Sequence, residues 1–184
     1  HLMGYLRATL DFRIGCVFGA DRDQFAFYGD SDHCSDSYYT TRSQTGYVIF
    51  LNGCPVEWAS RRQPVTAVSP AEAEIYAMRE AVVAGRLVQW VAEEMLVQVT
   101  WPFVMYSDST QAVSFQKATA PNSKLRRCFD MRDTSVKELR DQGIVTAVHI
   151  LRDLNVADML THCLSGPNFQ RCLGRAQNLQ LDKF

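Results

Sequence analysis

The chain has 184 residues, 47% of them apolar, and a formal net charge of -1. That is enough chain for one ordinary domain with a real core, and it is too apolar for intrinsic disorder. No apolar run approaches the roughly 18 to 20 residues that span a bilayer, and Asp11, Arg13, Asp21, Arg22 and Asp23 interrupt any secretory signal near the start.

The cysteines, at 16, 34, 54, 128, 163 and 172, form no close pair. With no secretory signal, reduced thiols in an intracellular setting are expected. Net charge does not mark a nucleic-acid binder, but two local basic clusters stand out: Arg61-Arg62, and Lys124, Arg126, Arg127 and Arg132.

Residues 3–10 read as a helix tail, 12–18 (FRIGCVF) as a strand and 21–23 as a turn. QFAFYGD at 24–30 is the first main strand, with Phe25, Phe27 and Gly29 alternating. A polar loop leads to GYVIFLNG at 46–53, where Asn52-Gly53 signals a hairpin back into CPVEWAS. Ser69-Pro70-Ala71-Glu72 then starts a helix: Ser as N-cap, Pro at the first position, Glu closing a capping box. This helix is predicted to run to about Met95, with Ile75, Met78, Val82, Val83, Leu87, Trp90 and Val91 as its apolar stripe.

WPFVMYSD at 101–108 is a short strand ending in an acid, and 110–117 a short helix. A basic loop covers 119–127, and a polar helix at 130–141 is closed by Gly143. Residues 144–151 form a strand, Asn155 caps a helix to Cys163, Gly166-Pro167 breaks it, and a last helix covers 168–176. Three strands, a long helix, then alternating strands and helices predict an α/β fold: a mixed five-stranded sheet flanked by helices.

Four acids occupy special places in that order. Asp30 and Asp108 end two strands that are neighbours if the helical crossover returns the chain to mid-sheet. Glu74 lies in the second turn of the long helix, on the flank of its buried stripe. Asp158 lies in the apolar run VADML. Each alone reads as a cap, a helix-dipole partner or a solvated acid. Crowded together, carboxylates repel unless cations hold them. Oxygen ligands suit magnesium or manganese, and two ions about 3.5 to 4 Å apart clamp the attacking water and leaving oxygen of a phosphoryl displacement.

The motifs that carry these acids resemble a known family. YGDSD (28–32), TRSQTGYVIFLNG (41–53), VEWASRRQ (56–63), SPAEAEIYAM (69–78), YSDSTQAV (106–113) and VADMLTH (156–162) are similar, in order and spacing, to the ribonuclease H domain of copia-type LTR retrotransposon polyproteins. GYLRATLDFRI at 4–14 resembles the segment that ends the reverse transcriptase part. The resemblance implies a tail of that region over 1–20 and a ribonuclease H domain over 21–184. It implies the ribonuclease H-like fold and cleavage of RNA within an RNA/DNA hybrid during reverse transcription.

Its catalytic and metal-binding acids fall on Asp30, Glu74, Asp108 and Asp158, with Asp32 and Glu72 as near rivals. Glu72 is better explained as a capping residue and Asp32 as a loop acid near the metals. The resemblance also implies two Mg2+ ions, replaceable by Mn2+, with Asp30 bridging, Glu74 and Asp108 on one ion and Asp158 on the other. Cleavage would leave 5′-phosphate and 3′-hydroxyl ends. The expected partners are the hybrid, gripped through its backbone by Arg61, Arg62, Lys124, Arg126 and Arg127, and the reverse transcriptase of the same polyprotein. No membrane is expected, and the setting is intracellular, a cytoplasmic virus-like particle or the nucleus.

This chain departs from the family pattern in having His33 after the second Asp, Cys128 and Thr134 where the family has histidines, and Thr161-His162 after VADML. His33, Cys34, His149, His162 and Cys163 fit no closed zinc motif. Neither a GxSxG elbow nor a Walker loop occurs. The rival readings are a weak or inactive module serving as a hybrid-binding scaffold beside the polymerase, and a metal nuclease acting on DNA.

Overall fold

The structure, a computed structural model, describes residues 2–11, 14, 25–33, 41–97, 100–118 and 135–177. The turn at 21–23, the basic loop at 119–127, and all but residue 14 of the strand expected at 12–18 lie outside these residues. So do Cys128 and Thr134.

After α1 (Leu2–Ala8) come β1 (Phe25–Asp32), β2 (Gln44–Leu51) and β3 (Cys54–Arg62), an antiparallel meander. Asn52 and Gly53 close the β2–β3 hairpin with φ of 51° and 74°. Positive φ at both positions gives a two-residue turn a twist that matches the strands. The long helix α2 (Pro70–Glu94) then carries the chain across the sheet. β4 (Phe103–Ser107) pairs parallel with the far side of β1. Helices α3 (Thr110–Lys117) and α4 (Ser135–Asp141) precede β5 (Val145–His149), which pairs parallel with β4. The strand order is β3-β2-β1-β4-β5, the mixed five-stranded sheet that the pattern predicts.

Period-two alternation on β1 builds two cores. Phe25 and Phe27 face α2 and pack with Ile49, Ile75, Met78, Val82, Phe103 and Met105; Ala112, Val113 and Val136 bring α3 and α4 into the same cluster. Ala26 and Tyr28 face the other way, onto Val48, Phe50, Val156 and Leu160. Asp30 continues that second face, so the strand that fills both cores also aims an acid.

The apolar stripe expected on α2 holds only in its first half. Ile75, Met78 and Val82 are buried, but Val83, Leu87, Trp90 and Val91 are more than half exposed. The buried line continues instead through Ala81, Gly85, Gln89 and Ala92. The reason is distance: a Cβ built on Gly85 would meet the Phe27 ring at 2.3 Å. The helix lies too close to β1 for large side chains, so the bulky residues turn outward.

Three further boundaries differ from the sequence-based expectation. β1 runs two residues past Asp30. The helix expected at 155–163 is instead a pair of 3-10 turns, Arg152–Leu154 and Val156–Leu160, a conformation common in short connectors. Gly166 and Pro167 open the last helix, α5 (Gly166–Ala176), instead of breaking one; Pro167 sits in the first turn, where its missing N–H costs nothing. Cys54 is disulfide-bonded, against the expectation of reduced thiols, while Cys163 and Cys172 are free. Among the described residues no helix is long and apolar enough to cross a membrane.

Candidate metal centre

Asp30 and Asp108 meet because β1 and β4 are parallel neighbours. Tyr28 is in register with Tyr106, which carries Asp30 level with Asp108 just past the end of β4. Glu74 reaches the same place from α2. The Ser31 N–H donates to its Oε1 at 3.4 Å, so the helix acid is tied to the residue after Asp30. One carboxylate oxygen each from Asp30, Glu74 and Asp108 lies within 4.8 Å of the others.

Asp158 arrives from the opposite face of the sheet. Its turn lies against β2 at Gly46, the residue paired with Asp30. A Cβ on Gly46 would come within 2.8 Å of both Leu160 Cβ and Thr161 Cγ2, and within 2.9 Å of the Ala157 carbonyl oxygen. Only glycine leaves room for this approach. Asp30, Asp158 and His162 then form a second group of ligating atoms within 4.8 Å, so Asp30 belongs to both groups.

Neutral and cationic groups brace the acids. Asn155 is fully buried. Its Oδ1 accepts from the Ala157 N–H, as expected of a cap. Its Nδ2 reaches further, to the Gly29 carbonyl at 3.1 Å, Asp108 Oδ1 at 3.2 Å and Asp30 Oδ1 at 3.5 Å. The Thr161 hydroxyl donates to Asp30 Oδ2. Arg152 Nη2 donates to Asp158 Oδ1 at 3.2 Å.

The electrostatics are those of an acid cluster short of positive charge. Burial is the main force pushing the Asp30 carboxyl up to about 7; Asp108 and Asp158 push the same way, against the Thr161 hydrogen bond and Arg152. Burial likewise holds Glu74 well above its usual range, reinforced by Asp30 and Asp108. Glu74 Oε2 is shut off from solvent with no hydrogen-bond partner. A buried carboxylate oxygen left unpaired is costly unless a proton or a cation meets it. An all-oxygen set with one orphaned oxygen fits a hard divalent cation. Asp30, Glu74 and Asp108 would hold one ion, and Asp30 and Asp158 a second.

The near rivals are engaged elsewhere. Glu72 Oε2 accepts from the Val68 N–H at 2.7 Å, one residue before the expected capping-box partner, while Ser69 caps the Glu72 N–H. Asp32 is a buried strand residue, not a loop acid; its Oδ1 accepts from the Gln44 N–H and pins the ends of β1 and β2. Of the expected backbone contacts, Arg61 pairs with Glu80 at 2.6 Å and lies over the Tyr47 ring. Arg62 stands beside it on β3. Lys124, Arg126 and Arg127 lie outside the described residues. Asn155, Thr161, Arg152 and His162 are not readable from sequence as site residues. The cap role of Asn155 has a local signal, but its contacts and that of Thr161 with Asp30 join segments far apart in sequence, and the nearby contacts of Arg152 and His162 with Asp158 depend on a turn that no sequence pattern marks.

No family model matches the chain. It is 28% identical over 174 residues to the retrovirus-related Pol polyprotein from transposon TNT 1-94 of Nicotiana tabacum, covering 93% of this chain and 12% of that protein. It is 26% identical over 174 residues to the Pol polyprotein from transposon RE2 of Arabidopsis thaliana, covering 92% of this chain and 11% of that protein. Among solved structures, LC11-RNase H1 isolated from compost superposes with a TM-score of 0.52 at 16% identity, over 76% of this chain and 93% of that one. The N-terminal RNase H domain of a Mycobacterium tuberculosis protein gives 0.55 at 11% identity, over 86% and 99%. This chain has the ribonuclease H fold and is related to copia-type transposon Pol polyproteins. Within that ribonuclease H fold, the acid cluster lies where β1 and β4 end side by side. The chain spans about an eighth of the length of the relatives it matches, 12% and 11% for the two named.

Proposed function

We propose that the chain is the ribonuclease H of a retrotransposon polyprotein, a metal-dependent endonuclease that degrades the RNA strand of RNA/DNA hybrids. One observation carries the reading: Asp30 is shared by two ligand groups, with Glu74 and Asp108 on one side and Asp158 on the other. A bridging carboxylate with separate ligands on each side is the donor set of a two-ion phosphodiester hydrolase. Two bound magnesium ions, or manganese in their place, would activate water and neutralise charge on the leaving oxygen. The products would carry 5′-phosphate and 3′-hydroxyl ends.

The chain's own residues have distinct tasks. Asp30, Glu74, Asp108 and Asp158 supply the ligands. Thr161 and Asn155 fix the orientation of Asp30. Arg152, 63% exposed, neutralises Asp158 and is free to turn toward a substrate phosphate. A structural neighbour, LC11-RNase H1, is known in complex with an RNA/DNA hybrid, at a TM-score of 0.50. By that likeness the hybrid is the proposed substrate here, with Arg61, Arg62, Lys124, Arg126 and Arg127 as backbone contacts. Residues 1–20 would be the tail of the preceding reverse transcriptase region and 21–184 the nuclease. The reverse transcriptase is the proposed partner, inside an intracellular particle or the nucleus.

The test is cleavage of a labelled RNA/DNA hybrid in magnesium or manganese, beside duplex DNA and duplex RNA. The wild type is expected to cut the hybrid's RNA strand at least a hundredfold faster than Asp108→Asn, in line with the roughly 2.7 kcal/mol that such a ratio represents. Equal rates would leave the scaffold reading, and preferential cutting of duplex DNA would change the substrate.

A further inference from the structure

The second ligand group contains a nitrogen. His162 follows Asp158 by four residues, and its backbone N–H bonds to the Asp158 carbonyl at 3.0 Å. This turn carries the imidazole back over the carboxylate, with Nε2 3.8 Å from Asp158 Oδ1. That is too long for a hydrogen bond. It suits two donors to one ion, which sit about 3 to 4 Å apart when each is about 2.1 Å from the metal. The ligating atoms of Asp30, Asp158 and His162 all lie within 4.8 Å of one another, close enough for one ion to gather them by a small inward shift. At 29% side-chain exposure His162 is accessible yet held in place.

The two ligand groups therefore differ in chemistry. Asp30, Glu74 and Asp108 offer oxygen alone, and Glu74 Oε2 is the buried oxygen without a partner. Asp30, Asp158 and His162 offer two oxygens and an imidazole. Imidazole discriminates in favour of transition metals, whereas oxygen sets accept magnesium or manganese alike. Building on the metal-nuclease reading, we propose that His162 is a nitrogen ligand of the second ion and makes that position prefer manganese to magnesium. Arg152, which shares Asp158 Oδ1 at 3.2 Å, must release it when the ion enters. The two positions would fill unequally, the oxygen site with magnesium and the mixed site with manganese.

Pulsed electron paramagnetic resonance on the full chain loaded with manganese reads the ligand directly. His149, whose Nε2 lies 3.1 Å from the Asp108 carbonyl, and His33, which follows Asp32 at the end of β1, are first replaced by Gln so that their imidazoles are not confused with that of His162. In this background, bound manganese is expected to show nitrogen hyperfine coupling of imidazole type. His162→Gln is expected to abolish the coupling and weaken one manganese site at least tenfold in a titration, leaving magnesium affinity within about twofold. Circular dichroism checks that the variant folds, and the coupling in the unmutated His162 protein is decisive even if it does not. Manganese bound without nitrogen coupling, or with coupling that survives His162→Gln, overturns the proposal while leaving the nuclease reading intact. No manganese bound at all overturns both.

Discussion

The side-chain amide of Asn155 lies 3.2 Å from a carboxylate oxygen of Asp108, joining the turn before Asp158 to the end of β4. The same nitrogen reaches the Gly29 carbonyl at 3.1 Å, so one buried residue holds β1, β4 and the Asp158 turn in one frame. Removing a buried donor costs about 1 to 3 kcal/mol through the acceptors it abandons. Asn155→Ala is expected to lose that much stability in denaturant titration. Asn155→Asp is nearly isosteric but replaces the donor with a further negative charge among the acids, so the metal-free protein should lose more than with Ala. Added magnesium should recover part of the Asp loss and less of the Ala loss. Equal losses for both variants, with or without metal, would show that the amide does no more than fill space.

Metal-free stability should depend on pH in the direction set by Asp30 and Glu74. Both carboxyls titrate higher in the fold than in the unfolded chain, chiefly through burial, Asp30 at about 7. The native state therefore binds more protons. Its stability is greatest when these groups are protonated and falls as pH rises through the folded value. With chelator present, the melting temperature is expected to decline between about pH 5 and pH 8. Saturating magnesium should remove the decline, because a cation then balances the same charges, and should release protons on binding near neutrality. A melting temperature that rises over that range in chelator would contradict the burial argument.

Two glutamates two residues apart should behave oppositely. Glu74→Gln removes a buried charge whose Oε2 has no partner. It should raise the melting temperature of the metal-free protein at alkaline pH and weaken magnesium binding. Glu72→Gln trades the charged acceptor of the Val68 N–H for a neutral one at the helix start. That change should cost about 0.5 to 1.5 kcal/mol and leave magnesium affinity alone. Calorimetric titration and thermal melts on both variants check the contrast.

Why these contrasts are partly legible in the sequence follows from the range of the interactions involved. The Asn52-Gly53 turn and the Ser69-Pro70 helix start are local, decided by neighbouring residues, and both stand where expected. The acids are legible because Asp30 and Asp108 lie level with each other near the ends of parallel strands, and Glu74 opens a helix whose start is well marked. The outward turn of Leu87 and Trp90 is not, because it depends on how closely α2 approaches Phe27. The 3-10 turns and the contacts of Asn155 and Thr161 with Asp30 join segments more than a hundred residues apart, where periodicity carries no signal.

Two glycines separate site geometry from stability. Gly46→Ala would press a methyl group against Leu160, Thr161 and the Ala157 carbonyl, each under 3.0 Å. The Asp158 turn must shift, so hybrid cleavage is expected to fall at least tenfold while metal binding through Glu74 and Asp108 persists. Gly85→Ala would instead drive a methyl group into the Phe27 ring at 2.3 Å. Overpacking of this kind costs about 1 to 3 kcal/mol, and the expected result is a lower melting temperature with near-normal specific activity in the folded fraction. If Gly46→Ala cuts at the wild-type rate, the Asp158 turn tolerates displacement and its close seat on β2 is not what aligns the acid.

Arg61 tests the proposed hold on the hybrid. It lies on edge strand β3, in register with Thr45 of β2, which in turn pairs with Ser31 beside Asp30. Its guanidinium pairs with Glu80 but is 53% exposed, so solvent screens that pair and Arg61→Ala should change stability by less than about 1 kcal/mol. Neutralisation of a phosphate would show differently. The affinity for hybrid should fall, and the slope of log affinity against log salt should drop by about 1 for each phosphate that the variant leaves unneutralised. Glu80→Gln sharpens the comparison: it leaves Arg61 in place without its anionic partner, so hybrid affinity should rise slightly at low salt. Filter binding of both variants across a salt series decides between a guanidinium that reaches the hybrid and one spent wholly on Glu80. An unchanged slope in Arg61→Ala removes Arg61 from the interface.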